Sequence, residues 1–144
     1  MGSRGRAPRR LDAAATRAFL ASKPGWAILT TIGADGYPHS VALGYFLVED
    51  DIVLGTMANT RKLRNIAGNP KVCVLVETSH ESVLTAVMVQ GDAEVVSDDA
   101  ARLALAREAA RQRGVEEAQL PQQPRPGSAY VRVRPRRTIT WHYA

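Results

Sequence analysis

The chain has 144 residues, 45% hydrophobic and 23% charged, with a formal net charge of +5. That length suits one domain and that composition a packed core, which excludes a disordered chain. No apolar run approaches the ~20 residues of a membrane helix, no apolar h-region follows the basic N-terminus, and the single cysteine, Cys73, rules out an internal disulfide and a cysteine-based zinc site, so a cytoplasmic protein without membrane contact is expected.

The basic excess sits at the ends. Nine of the nineteen Lys and Arg residues fall in 1–10 and 125–137, leaving ten in between against all fourteen acids. One island inside the acidic body differs: between Asp51 and Glu77 there is no acid, yet Arg61, Lys62, Arg64 and Lys71 lie there.

In chain order, residues 1–10 read as a flexible basic arm, Arg- and Gly-rich without periodicity, and residues 11–144 as a single domain. A short helix is expected from about Asp12 to Ala21, stopped by Lys23-Pro24-Gly25. The period then becomes two. Trp26–Ile32 is a strand, Gly33–Gly36 a turn and Tyr37–Val48 one long strand, followed by Ile52–Thr56, together a three-stranded meander. Tyr37, His39, Val41, Leu43, Tyr45 and Leu47 give the long strand a bulky face, and Pro38, Ser40, Ala42 and Gly44 a small one. Such a row of small side chains is either a shelf for a planar ring or a place where another strand or subunit packs closely.

Thr60–Gly68 reads as a helix capped by Asn59 or Thr60 and ended by Gly68-Asn69-Pro70. Lys71–Glu77 is a buried-type strand leading to a polar loop through Ser82, with Cys73 an inert buried thiol. Val83–Val96 is a long strand with Gly91 marking a bulge or close approach. Ser97–Arg113 is the strongest helix, acidic at its start and basic at its end. Gln119–Gly127 is a loop, and Ala129–Arg134 and Arg137–Tyr143 form a hairpin around Pro135-Arg136. Six or seven strands with three helices, and too few crossovers for a parallel sheet, predict a mainly β, closed or nearly closed antiparallel barrel.

Chemistry concentrates where the strand ending at Thr56 passes into the helix opening at Thr60-Arg61-Lys62. Free N–H groups at a helix start, two hydroxyls and two or three cations make a phosphate cradle; a solvated basic helix start accounts for the same pattern. His39, His80 and His142 show no metal spacing and no order consistent with a catalytic triad, with His39 expected on the strand surface. Trp26 and Trp141 suit core or subunit-interface positions. A cradle, a shelf and no triad point to a cofactor that brings its own reactivity.

Ala27–His39, Thr56–Pro70, Val89–Val95 and the ending Trp141-His142-Tyr143 resemble, in order and spacing, the flavin-binding split-barrel family that includes pyridoxamine-phosphate oxidases and deazaflavin-dependent reductases. The resemblance implies a six- to seven-stranded split barrel that forms a homodimer with cofactor sites at the subunit interface. It assigns Thr56, Thr60, Arg61 and Lys62 to the phosphate, with Arg64 and Asn65 on the same helix. Ser40, Val41, Ala42 and Leu43 would lie along the ring's polar edge, Gln90 nearby, and Trp141 and His142 would reach over from the partner subunit. The cofactor implied is FMN or the deazaflavin coenzyme F-420, and the activity hydride transfer to or from a small conjugated substrate. No Arg-x-His motif follows the last strand, which disfavours vitamin B6 oxidation. A protein storing flavin, haem or another tetrapyrrole is the alternative. A nucleic-acid-binding small barrel is disfavoured, because aromatics total only 6%.

Overall fold

The computed structural model describes residues 7–143. Helix α1 (Ala13–Ala21) is capped by Asp12, whose carboxylate accepts from the Ala15 N–H. Strands β1 (Ala27–Ile32), β2 (Pro38–Leu43), β3 (Tyr45–Val48) and β4 (Asp51–Met57) lead to helix α2 (Arg61–Gly68). Then come β5 (Lys71–His80), β6 (Val83–Val96), helix α3 (Asp99–Gln112), a short 3-10 turn at Glu117–Gln119, and β7 (Ser128–Tyr143). All pairings are antiparallel, in the spatial order β2-β1-β5-β6-β7-β4-β3.

Where one long strand was expected over Tyr37–Val48, Gly44 divides β2 from β3. The two halves sit at opposite edges of the sheet, β2 on β1 and β3 on β4. Edges joined by one residue must come together, so the sheet curls into a barrel and β2 touches β4. The expected meander is thus shared between the two ends of the sheet.

Two further expectations are corrected. β5 runs on to His80 and turns through Glu81-Ser82, so the polar stretch after Glu77 belongs to the ladder. The hairpin at Pro135-Arg136 is instead one continuous strand, β7, which pairs with β4 as far as Val133 and with β6 from Tyr130 to Tyr143. Proline is tolerated there because Pro135 stands beyond the end of β4 and beside a bulge in β7 itself, where Arg136 is the extra residue between the partners of Gln90 and Gly91. Gly91 is required: a Cβ there would lie 2.4 Å from the Arg134 carbonyl oxygen. Order also reaches back into the expected arm. Arg9 bridges His142 through two backbone hydrogen bonds, while residues 1–6 of the arm lie outside the described residues.

The core fills the barrel with Leu29, Ile52, Leu54, Val74, Val87, Val89 and Val131. At one end α2 inserts Ile66, and toward the other α1 inserts Leu20, whose carbonyl accepts from the Tyr45 hydroxyl at 2.6 Å. Outside the barrel, α3 covers only the Phe46–Val53 patch with Leu105 and Ala109. Among the described residues, the helix side chains buried in these clusters pack in the barrel core or on the Phe46–Val53 patch, and none of them covers the outer face of β2-β1-β5-β6 and the C-terminal half of β7.

Candidate functional site

Strand register makes that uncovered face legible. Ala42, Ile28, Leu75, Met88 and Ile139 pair across five strands as one row. Ser40, Thr30, Cys73, Gln90 and Arg137 pair as the next. An apolar row thus lies beside a polar one, each about 19 Å long at the usual strand spacing. The small face of β2 opens onto this surface, with Pro38, Ser40, Ala42 and Gly44 exposed. Ser40 and Thr30 hydroxyls lie 2.7 Å apart. Val41 and Leu43 point the other way, into the barrel's packing, so they can present only backbone to a ligand. Since β2 is a sheet-edge strand, that backbone has one unladdered side.

Trp141 and His142 diverge. Trp141 stands on the outer face opposite Ala86, while His142 faces away, its Nδ1 2.7 Å from the Thr85 hydroxyl. The register brings Ser40, Ala42, Gln90 and Trp141 onto one surface and leaves His142 off it. Cys73 joins the polar row half-buried, and burial pushes its thiol pKa up.

At the end of β4, Thr56 pairs with Ala129, and the chain turns through Met57-Ala58-Asn59, with Asn59 in the left-handed region at φ 61°. Thr60 is the N-cap of α2 yet makes no side-chain cap bond, and its hydroxyl oxygen is buried without a partner. Asn65 is engaged structurally: its amide donates to the buried Thr31 hydroxyl at 3.0 Å, fastening α2 to β1. Arg61 reaches Asp35 at 3.7 Å, and Arg64 donates to the Asn59 carbonyl at 3.1 Å.

Arg61, Arg64 and Asn65, spaced along one helix face, line a hollow of about 810 Å³ against the Gly33–Asp35 turn. Lys62 lies about 100° around the helix from Arg61, on another flank. There burial lowers its ammonium pKa. The expected cradle is therefore divided. Thr60 and Lys62 remain beside the uncapped N–H groups, while Arg61 and Arg64 already have partners. An unpartnered buried hydroxyl, an uncapped helix start and a partly desolvated cation are what a phosphate ester requires, so these residues fit the phosphate of a flavin or deazaflavin.

His39 departs from its expected place on the strand surface. It lies on the inward side of β2 opposite Thr31, with Nδ1 buried and unpartnered, because the register fixes its side by Val41 and Leu43. Its place in the bulky series was the available signal. Among the described residues no group of three or more His, Cys, Asp or Glu could hold a metal, and no helix is long and apolar enough to cross a membrane.

The sequence model described as Pyridoxamine 5'-phosphate oxidase matches residues 13–142. The 5a,11a-dehydrotetracycline/5a,11a-dehydrooxytetracycline reductase of Streptomyces rimosus subsp. rimosus is 27% identical over 124 residues, 81% of this chain and 74% of that protein. A conserved hypothetical protein of Mycobacterium tuberculosis superposes with TM-score 0.78 at 26% identity, covering 96% of this chain and 89% of that one. An F-420 reductase superposes with TM-score 0.60 at 20% identity, covering 83% and 93%, a likeness of fold.

Proposed function

The chain belongs to the pyridoxamine 5'-phosphate oxidase family, and from that premise we propose that it is a cytoplasmic oxidoreductase using FMN or the deazaflavin coenzyme F-420 on a small conjugated molecule. The observation that carries the reading is the Thr60 hydroxyl, buried and unpartnered at an uncapped helix start beside Lys62. The reductase of Streptomyces rimosus, by its name, acts on a dehydrotetracycline, which supports both the reaction class and a conjugated substrate.

When bound, the cofactor supplies the redox chemistry. The chain's part is to hold and shield it. Thr60 and Lys62 would take the phosphate, with Thr56 at the strand end. The β2 edge backbone from Ser40 to Leu43 and the small side chains of Ser40 and Ala42 would receive the ring. Gln90 and Trp141 would approach from a second copy. The apolar row from Ala42 to Ile139 supports a homodimer formed by this face, since a half-buried apolar sheet face needs cover. The basic C-terminal strand is largely neutralised: Arg132 pairs with Asp51 at 2.7 Å, Arg134 with Glu94 at 2.9 Å and Arg136 with Asp92 at 2.6 Å. That supports a reading without a nucleic-acid partner.

Titration of the purified protein with FMN and with coenzyme F-420, followed by intrinsic Trp fluorescence, tests the assignment. Lys62→Ala is expected to weaken the preferred cofactor roughly ten- to hundredfold, the loss of one charge-assisted bond. Arg113→Ala, exposed past the end of α3, should leave affinity unchanged. Equal affinities for both variants refute the phosphate assignment.

A further inference from the structure

A cavity of about 560 Å³ opens on the side of the barrel where β7 continues past the start of β4 and α1 lies across the gap. Its floor is the barrel's own core, Leu20, Ile52 and Val89, all less than a tenth exposed. Its rim is different. Arg10, Arg17 and Arg137 stand there with one acid, Asp50. Arg17 is fixed, donating to the Glu49 carbonyl at 2.6 Å and the Asp50 carboxylate at 3.3 Å. Arg10 and Arg137 make no side-chain hydrogen bond or ion pair with the described residues.

From this arrangement we propose that the cavity binds a small apolar carboxylate, its hydrocarbon on the Leu20–Ile52–Val89 floor and its anion between Arg10 and Arg137. Size agrees, since ligand pockets run from about 300 to 1,000 Å³ with apolar walls and few polar groups. Charge agrees, because two guanidiniums with no partner among the described residues, beside one acid that already faces Arg17, favour an anion, and the guanidinium fork matches a carboxylate. The Thr138 hydroxyl, on the same wall, adds a donor. The site is separate from the cradle. It lies at the Asp51 end of β4 and the cradle at the Met57 end, six residues on, or roughly 20 Å along the strand. Helix α1 forms one wall and is tied to the barrel by Leu20 and the Tyr45–Leu20 hydrogen bond.

Decanoate and decan-1-ol, equal in chain and different in charge, are the probes, followed by amide chemical shifts of the full-length protein. Decanoate should bind saturably and shift the amides of Leu11, Thr16 and Thr138, with no competition from FMN. Arg10→Ala should weaken decanoate about tenfold or more and alter decan-1-ol less than about twofold, the signature of a lost charge-assisted bond. Thr16→Trp, which fills the cavity from α1 and leaves every charge in place, should abolish both. Thr138→Trp fills it from the opposite wall and should do the same, which covers the case of a Thr16→Trp chain that fails to fold. The proposal is overturned by shifts confined to β2 or α2, by displacement with FMN, by equal loss of acid and alcohol in Arg10→Ala, or by no saturation below about 1 mM, a binding energy near 4 kcal/mol.

Discussion

The hydrogen bond from the Asn65 amide to the Thr31 hydroxyl joins helix α2 to the barrel, and its removal has a size that the geometry sets. Thr31 is fully buried, Asn65 is 8% exposed, and the bond is 3.0 Å long. Thr31→Val keeps the side-chain shape and removes the acceptor, stranding a buried amide donor at a cost of about 1–3 kcal/mol. Asn65→Leu removes the donor and should cost a similar amount, since the Thr31 hydroxyl is then alone in the core. The double variant replaces both partners with apolar groups, a change that is close to neutral. It should therefore be more stable than either single variant, with a coupling of about 2 kcal/mol or more. Urea unfolding with a common slope measures the cycle, and thermal midpoints should move about 2–4 °C for each kcal/mol. A coupling below about 0.5 kcal/mol, the scatter expected of independent sites, refutes the claim that this bond fastens α2.

Three other outcomes follow from the fold. The Tyr45 phenol, 6% exposed, has its pKa raised by burial to about 12. The fold therefore keeps the proton while the unfolded chain ionises, so a stabilisation of about 2–3 kcal/mol, complete below pH 10, is lost between pH 10 and 12; Tyr45→Phe should flatten that alkaline limb in unfolding measurements. Gly91→Ala pushes a methyl group against the Arg134 carbonyl and Val133, and a drop in stability of roughly 1–3 kcal/mol by denaturant titration is expected; an unchanged midpoint would show that the bulge yields freely. Leu75→Lys, in the middle of the apolar row, should turn the proposed dimer into a folded monomer by light scattering, and a variant that still scatters as a dimer places the interface elsewhere.

Helix ends and the Gly91 bulge were legible because local chemistry decides them: Asp12 and Asp98 cap their helices through their own carboxylates. The passage from β4 into α2 was legible because a strand end, a capping residue and a helix start adjoin in sequence. The break at Gly44 was not, since the residues on either side alternate without interruption and only long-range pairing sends them to different edges. Pro135 misled for the opposite reason. It marks a turn in most local contexts, but the end of β4 and the bulge at Arg136 leave room for it in a strand. Trp141 and His142 were grouped as neighbours in sequence, whereas neighbours in a strand face opposite ways. The two rows of the outer face draw residues from five strands, so no local window contains them.

The position of β7 governs when the barrel can form. It lies between β6 and β4, and Arg132 meets Asp51 across 81 residues of chain. While β7 is still inside the ribosome, β1, β2, β5 and β6 can assemble, but the β3–β4 hairpin hangs from Gly44 with an unpaired edge and the apolar Ile52 and Leu54 uncovered. Exposed edges of that kind invite pairing between chains. Newly made chains should therefore be vulnerable to aggregation until the last strand emerges, and protection by a holding chaperone would matter most in that interval.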